Sequence, residues 1–214
     1  MEPVTPSHVV IPLEGADVRY YANYIPTERA TQLYNHFLTD FSWKIRKTDY
    51  GKGGASYKLN RATCAFGDPG VKAPDVWGDD LVVEPWTYEM NELRRGLERI
   101  TGCKYNICLC NYYATGKRGI GLHADNEERG STDGIASISL GTAREFTFVR
   151  NSNLGAKYTM KLDHGSMLLM GRGTQENYRH TVPEDKSVTE GRINLTFRWF
   201  DPVRYTATTM KQGP

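Results

Sequence analysis

The segment Arg192-Ile-Asn-Leu-Thr-Phe-Arg-Trp199 constrains the fold more than any other stretch of the chain. Side chains of a strand alternate between its two faces. Arg192, Asn194, Thr196 and Arg198 therefore share one face, and Ile193, Leu195, Phe197 and Trp199 share the other. The apolar face seals against a core. The polar face carries two guanidinium groups, which are costly to bury without anions. A dicarboxylate would satisfy them, because Arg binds carboxylate in charge-assisted and often bidentate pairs. Taken alone, the strand fits equally well an exposed edge with an ordinary polar face.

The upstream residues favour the buried alternative. His123-Ala124-Asp125 is followed much later by His180. Two histidines and one carboxylate form the facial ligand set of a mononuclear non-haem Fe(II) site, which leaves positions open for a cosubstrate and O₂. Residues two apart on a strand point the same way, so His123 and Asp125 are expected to reach one metal from a single strand end. An H-x-D pair is common by chance. Joined to a later histidine and then to Arg192, it becomes much more specific. His8, His36 and His164 fall outside the pattern, and His164 reads as a turn residue.

At 214 residues the chain is long enough for one domain with a substantial core. Its 39% hydrophobic and 24% charged content is that of a globular protein, and no apolar run approaches membrane-spanning length. Cys108 and Cys110 lie two apart in an apolar stretch, which is no disulfide framework; an intracellular, reducing location and a monomer are expected. Thr27–Phe37 reads as a helix, and a second is expected from Pro85 through Ile100 to a stop at Gly102. From Tyr105 onward short β runs follow one another, separated by Gly, Asn and Asp. The fold expected is mainly β (α+β), a double-stranded β-helix or jelly-roll with helices packed outside. It forms a single domain over residues 1–214: an N-terminal extension with helices and a recognition lid over 1–100, then a catalytic core over 105–200. A net charge of +2 is too small to imply nucleic acid by itself. Lys44, Arg46, Lys47, Lys52, Lys58 and Arg61 form a local basic segment, readable as a phosphate-binding patch or as a solvated loop.

Asn111-Tyr-Tyr113, His123-Ala-Asp125-Asn-Glu127, His180 and Arg192-Ile-Asn-Leu-Thr-Phe-Arg198 together resemble the AlkB family of Fe(II)- and 2-oxoglutarate-dependent dioxygenases, in the branch that repairs alkylated bases. The resemblance runs from roughly Asn60 to Phe200. It implies Fe(II) at His123, Asp125 and His180, with 2-oxoglutarate as cosubstrate and O₂ as oxidant. Arg192 would hold the distal carboxylate with help from Asn111 and Tyr113. Arg198 would lie near the chelating end, with Asn194 and Thr196 between. The implied reaction couples decarboxylation of 2-oxoglutarate to hydroxylation of an N-alkyl carbon, after which an aldehyde departs and the base is restored.

For the substrate, the resemblance implies Arg61 at the nucleic-acid lip and an aromatic after Gly67-Asp68, best matched by Trp77; ordinary packing explains Trp77 equally well. Asn126 and Glu127 follow the metal ligands, and Glu127 is expected either to accept a hydrogen bond from an exocyclic amine or to be a rim charge. One departure matters. Duplex-acting relatives carry a hydrophobic wedge where this chain has Tyr50-Gly-Lys-Gly-Gly-Ala-Ser-Tyr57. Unless Tyr50 or Tyr57 serves, single strands are the better substrate, since extruding a base from a duplex costs about a few kcal/mol. The partner expected is alkylated DNA, with RNA open and no membrane; the alternative is a hydroxylase acting on RNA, protein or a small molecule.

Overall fold

The structure is a computed structural model and describes residues 6–48, 57–78, 80–128 and 130–201. The front half carries β1 (Val9–Val10), β2 (Val18–Tyr21), helix α1 (Thr27–Asp40), the pair β3 (Lys47–Thr48) and β4 (Tyr57–Lys58), β5 (Ala62–Gly67), β6 (Val83–Pro85) and helix α2 (Tyr88–Thr101). The back half carries β7 (Ile107–Tyr113), β8 (Ile120–His123), β9 (Ile135–Gly141), β10 (Arg144–Arg150) and β11 (Asn153–Leu162). It continues with β12 (Met167–Met170), a single-turn α3 (Thr174–Asn177), β13 (Tyr178–Val182) and β14 (Arg192–Arg198).

From β7 onward the chain crosses repeatedly between two sheets. The major sheet runs β1-β2-β12-β9-β14-β7-β5-β6, and the minor sheet runs β11-β10-β13-β8. This is the jelly-roll expected. Four strands of the front half extend the major sheet on both sides. The alternation in each strand divides the core. Ile193, Leu195 and Phe197 of β14 join Cys108, Cys110, Ala136, Ile138 and Leu140 beneath the helices. Leu33 and Phe37 of α1 and Met90 and Leu97 of α2 fill the same layer. On the other side, Ile135, Leu168 and Met170 meet Phe146, Phe148, Tyr178 and Val182 of the minor sheet.

β14 lies between β7 and β9, and its register aligns polar residues from all three strands. Arg192 faces Tyr113 and Asn194 faces Asn111 in β7; Asn194 faces Ser139 and Thr196 faces Ser137 in β9. Directly opposed residues share a face. The polar face of β14 therefore forms a panel that is three strands wide at Asn194 and narrows to β14 alone at Arg198, which faces Ile107; all four polar residues are buried.

Some boundaries differ from expectation. α1 begins at Thr27 as read but runs on to Asp40. α2 begins at Tyr88 rather than Pro85, which is the last residue of β6. The Thr87 hydroxyl sets that start by accepting from the Met90 N–H at 3.2 Å. Gly102 closes the helix with φ +72°, a left-handed conformation that glycine adopts without penalty. Trp199 does not continue the apolar face of β14; it lies beyond the strand and is 39% exposed. Thr87→Ala should lower stability by about 1 kcal/mol in urea unfolding, with Thr87→Ser close to wild type, as expected for a side-chain cap.

Candidate metal centre and cosubstrate pocket

His123 ends β8 and pairs across the minor sheet with His180 of β13. The register shifts between His180 and Val182, a bulge of the kind that re-aims side chains beside functional sites. Asp125 lies past the strand end, so strand alternation does not place it as expected. A hydrogen bond does so instead: its backbone N–H donates to Oε1 of buried Gln175 on α3 at 2.8 Å. His123 Nε2 then lies 3.4 Å from Asp125 Oδ1, and His180 Nε2 lies 3.6 Å from Asp125 Oδ2. The three ligand atoms fall within 4.8 Å of one another, the one such group of His, Cys, Asp or Glu among the described residues.

The electrostatics suit a cation. His123 Nδ1 is 2.8 Å from the Gly121 carbonyl; donating its proton there leaves Nε2 free as a ligand. Burial, then His123 and Arg198, outweigh Asp125 and push the His180 imidazole down to about 3, so it is neutral. The Phe146 ring stacks on it at 5.1 Å. Burial opposes ionisation of Asp125, but the Arg198 guanidinium beside it overcomes this and holds its carboxyl well below the usual range.

Arg198 links the ligands to the rest of the cavity. Its Nη2 is 2.9 Å from Asp125 Oδ1, and its Nη1 donates to both oxygens of Glu127 at 2.7 and 2.9 Å. Glu127 Oε1 also accepts from Trp77 Nε1 at 2.7 Å. The Arg198 guanidinium lies over the Trp77 ring, 5.0 Å from its centroid, and Phe200 meets that ring edgewise at 5.5 Å. Trp77 is 3% exposed, so it presents almost no free face, and Glu127 is neither a rim charge nor an uncommitted acceptor.

At the other end of the polar panel Arg192 is fully enclosed. Its Nη2 donates to Ser139 Oγ at 2.9 Å, and its guanidinium lies 5.5 Å from the centroid of the Tyr113 ring. Its Nε and Nη1 have no hydrogen-bond partner. Burial lowers its pKa to about 10 against the opposing effect of Tyr113. Asn194 donates to Ser137 Oγ and the Ile138 carbonyl, and Thr196 donates to Asn194 Oδ1 at 3.0 Å. Asn111 Oδ1 accepts from Arg61 Nε. Arg61 is thus buried beside the cosubstrate residues. A cavity of about 590 Å³ joins both ends, lined by every residue assigned above to the metal, cosubstrate or substrate.

The basic segment divides. Lys44 and Arg46 pair with Asp80, and Arg46 also donates to the Thr63 carbonyl. Lys47 and Lys58 are exposed and face each other across β3 and β4. Tyr50, Lys52 and the Gly51–Gly54 stretch lie outside the described residues; Tyr57, 46% exposed, lines the cavity. Sequence reasoning missed Gln175, Ser137, Ser139 and Phe146. The two serines repeat with a period of two in Ser137-Ile-Ser139, a signal that register turns into a panel. Gln175 carried no signal, because its partner is the Asp125 main chain.

Residues 17–198 match the 2OG-Fe(II) oxygenase superfamily, and the chain belongs to that superfamily, in its AlkB family. Among curated relatives, human "DNA oxidative demethylase ALKBH2" is 33% identical over 153 residues, 68% of this chain and 58% of that protein. Human "Alpha-ketoglutarate-dependent dioxygenase alkB homolog 3" is 29% identical over 194 residues, 85% of this chain and 65% of that protein. The chain therefore spans about three-fifths of these relatives' length. Among solved structures, that described as "The structure of OsALKBH1" has a TM-score of 0.63 at 20% identity, covering 85% of this chain and 97% of that one, which speaks to the fold alone.

The residues fit the groups in the superfamily's name. His123, Asp125 and His180 lie close enough together that they could hold iron as a facial set. Arg192 offers two buried N–H-bearing nitrogens with no protein acceptor, as a bound carboxylate requires. Each of His123→Ala, Asp125→Ala and His180→Ala should lose Mn(II) binding in calorimetric titration, and near-normal affinity in any of them would displace the assignment. Arg192→Ala should weaken 2-oxoglutarate by about 2 kcal/mol or more. Arg192→Lys should restore only part of that, since an ammonium lacks the planar fork.

Proposed function

We propose that the chain is an oxidative demethylase of N-alkylated bases, acting on 1-methyladenine and 3-methylcytosine in nucleic acid, with single-stranded DNA preferred. The observation that carries this reading is the shared cavity. Its volume of about 590 Å³ lies within the range of roughly 300–1,000 Å³ usual for small-molecule sites. It brings the metal ligands, the Arg192 end and exposed Tyr57 and Leu122 into one continuous space. A base must leave its stack to reach such a site. The names of the two human relatives, one a DNA oxidative demethylase, support the same class.

When bound, iron and 2-oxoglutarate supply the oxidation: O₂ is consumed, succinate and CO₂ leave, and one oxygen atom is delivered to the N-alkyl carbon. The protein's part is positional. Arg192, Tyr113 and Asn111 orient the cosubstrate, and Arg198 fixes Asp125 and Glu127 together. Glu127 keeps acceptor capacity on Oε2, which takes only Arg198, and that oxygen faces an exocyclic amine of the base. Trp77 serves by holding Glu127, and Asn126 lines the same wall. The β3–β4 pair, with Lys47 and Lys58, forms part of a lid that meets phosphate. Preference for a single strand rests on the glycine-rich composition of the lid, and an intracellular location on four free thiols.

Oligonucleotides carrying 1-methyladenine, 3-methylcytosine or N6-methyladenine, single- and double-stranded, should be incubated with Fe(II) and 2-oxoglutarate and read by mass spectrometry. Loss of the methyl group from the first two, faster in single strands, is the expected outcome. A preference for duplex would assign Tyr50 or Tyr57 as a wedge. No repair of any oligonucleotide, with normal 2-oxoglutarate binding, would favour hydroxylation of a protein or small molecule, a reading that the Asp80 pairing of Lys44 and Arg46 also permits.

A further inference from the structure

Arg144 opens β10 and is buried, yet no motif singles it out. Its guanidinium donates to four main-chain carbonyls: Thr115 at 3.5 Å, Gly116 at 3.3 Å, Arg118 at 3.0 Å and Pro183 at 2.6 Å. These carbonyls belong to two loops, 114–119 between β7 and β8 and 183–191 between β13 and β14. The loops also bind each other. The Gly116 N–H donates to the Val188 carbonyl at 2.9 Å, and the Asp185 N–H donates to the Gly116 carbonyl at 2.8 Å. A Cβ on Gly116 would collide with the Asp185 carbonyl, so this close approach requires glycine.

Each loop abuts a residue of the cosubstrate pocket. The first follows directly on Tyr113, and the second leads directly into Arg192. Across the major sheet Arg192 pairs with Gly141, three residues before Arg144. Neither guanidinium forms an ion pair among the described residues. Burial lowers the pKa of Arg144, against Tyr113, Asp185 and Glu184, and Arg144 in turn disfavours the charged form of Arg192. Carbonyls satisfy most of the Arg144 guanidinium, but neither it nor Arg192 has a carboxylate in contact, so an anion placed at the unpaired nitrogens of Arg192 would be favoured by both charges. A loop staple alone needs carbonyl-binding donors; it does not need a second charge beside Arg192.

We infer that Arg144 is a positioning residue for 2-oxoglutarate: it fixes the two loops that frame Tyr113 and Arg192 and adds a second positive charge behind the distal carboxylate, favouring a dicarboxylate over a monocarboxylate. This rests on the cosubstrate reading of the Arg192 pocket. The test uses the Mn(II)-loaded full chain and calorimetric titration with 2-oxoglutarate and with 2-oxopentanoate, the same carbon skeleton without the distal carboxylate. Arg144→Gln loses both the fork and the charge, so both acids should weaken, 2-oxoglutarate about tenfold more than 2-oxopentanoate, as expected for a buried charge interaction at a protein-like dielectric. Arg144→Lys keeps the charge without the four-carbonyl fork, so both acids should weaken while their affinity ratio stays close to wild type. Should the Gln variant fail to fold by circular dichroism, the Lys variant decides: a ratio near wild type supports the inference, and a collapsed ratio overturns it. Equal weakening of both acids by Arg144→Gln, or no change in either, would leave Arg144 a loop staple and overturn the inference. A wild-type chain that does not prefer 2-oxoglutarate would instead overturn the cosubstrate reading itself.

Discussion

The buried guanidinium of Arg198 ties this molecule together. It comes from the end of β14 in the major sheet, and its partners Asp125 and Glu127 come from the segment that leaves β8 in the minor sheet. One fork therefore joins the two sheets at the point where the metal ligands converge. A buried cation is costly unless paired, and removing one partner from such a pair costs about 3–5 kcal/mol. Here two carboxylates and the face of Trp77 surround it. Asp125 is held as an anion by the same contacts, so the interaction that stabilises the sheet junction also leaves a carboxylate beside His123 and His180 that could bind a metal.

The second constraint is the central position of β14. A strand buried on both sides needs an apolar face for the helices and a polar face with somewhere to go. Ser137 and Ser139 on one neighbour and Asn111 and Tyr113 on the other supply it. Hydrogen bonds within this panel satisfy Asn194 and Thr196, whereas Arg192 retains unpaired nitrogens. The panel thus runs from a self-satisfied middle to two charged ends, one at the metal ligands and one shaped for a carboxylate.

Much of this was legible in the chain, and for definite reasons. Alternation in Arg192–Arg198 exposed a polar face, and His123, Asp125 and His180 have side chains whose chemistry narrows the choice of partner. The jelly-roll followed from many short β runs. What escaped detection depends on contacts distant in sequence. The Thr87 cap moved the start of α2, the hydrogen bond that Asp125 N–H donates to Gln175 replaced strand geometry at Asp125, and Asp80 pairs with two residues of an apparently basic segment. Glu127 and Trp77 line the same cavity as His123, Asp125 and His180, but their mutual hydrogen bond and the Arg198 fork could not be seen from spacing.

The central claim is that one polar panel holds a metal at its Arg198 end and a dicarboxylate at its Arg192 end. The most direct measurement is diffraction from crystals grown with Mn(II) and 2-oxoglutarate, using anomalous scattering to locate the metal. The account predicts a single strong anomalous peak bonded to His123, Asp125 and His180, with the distal carboxylate of 2-oxoglutarate on the Arg192 guanidinium. A metal bound elsewhere, or 2-oxoglutarate lying away from Arg192 at full occupancy, would contradict it.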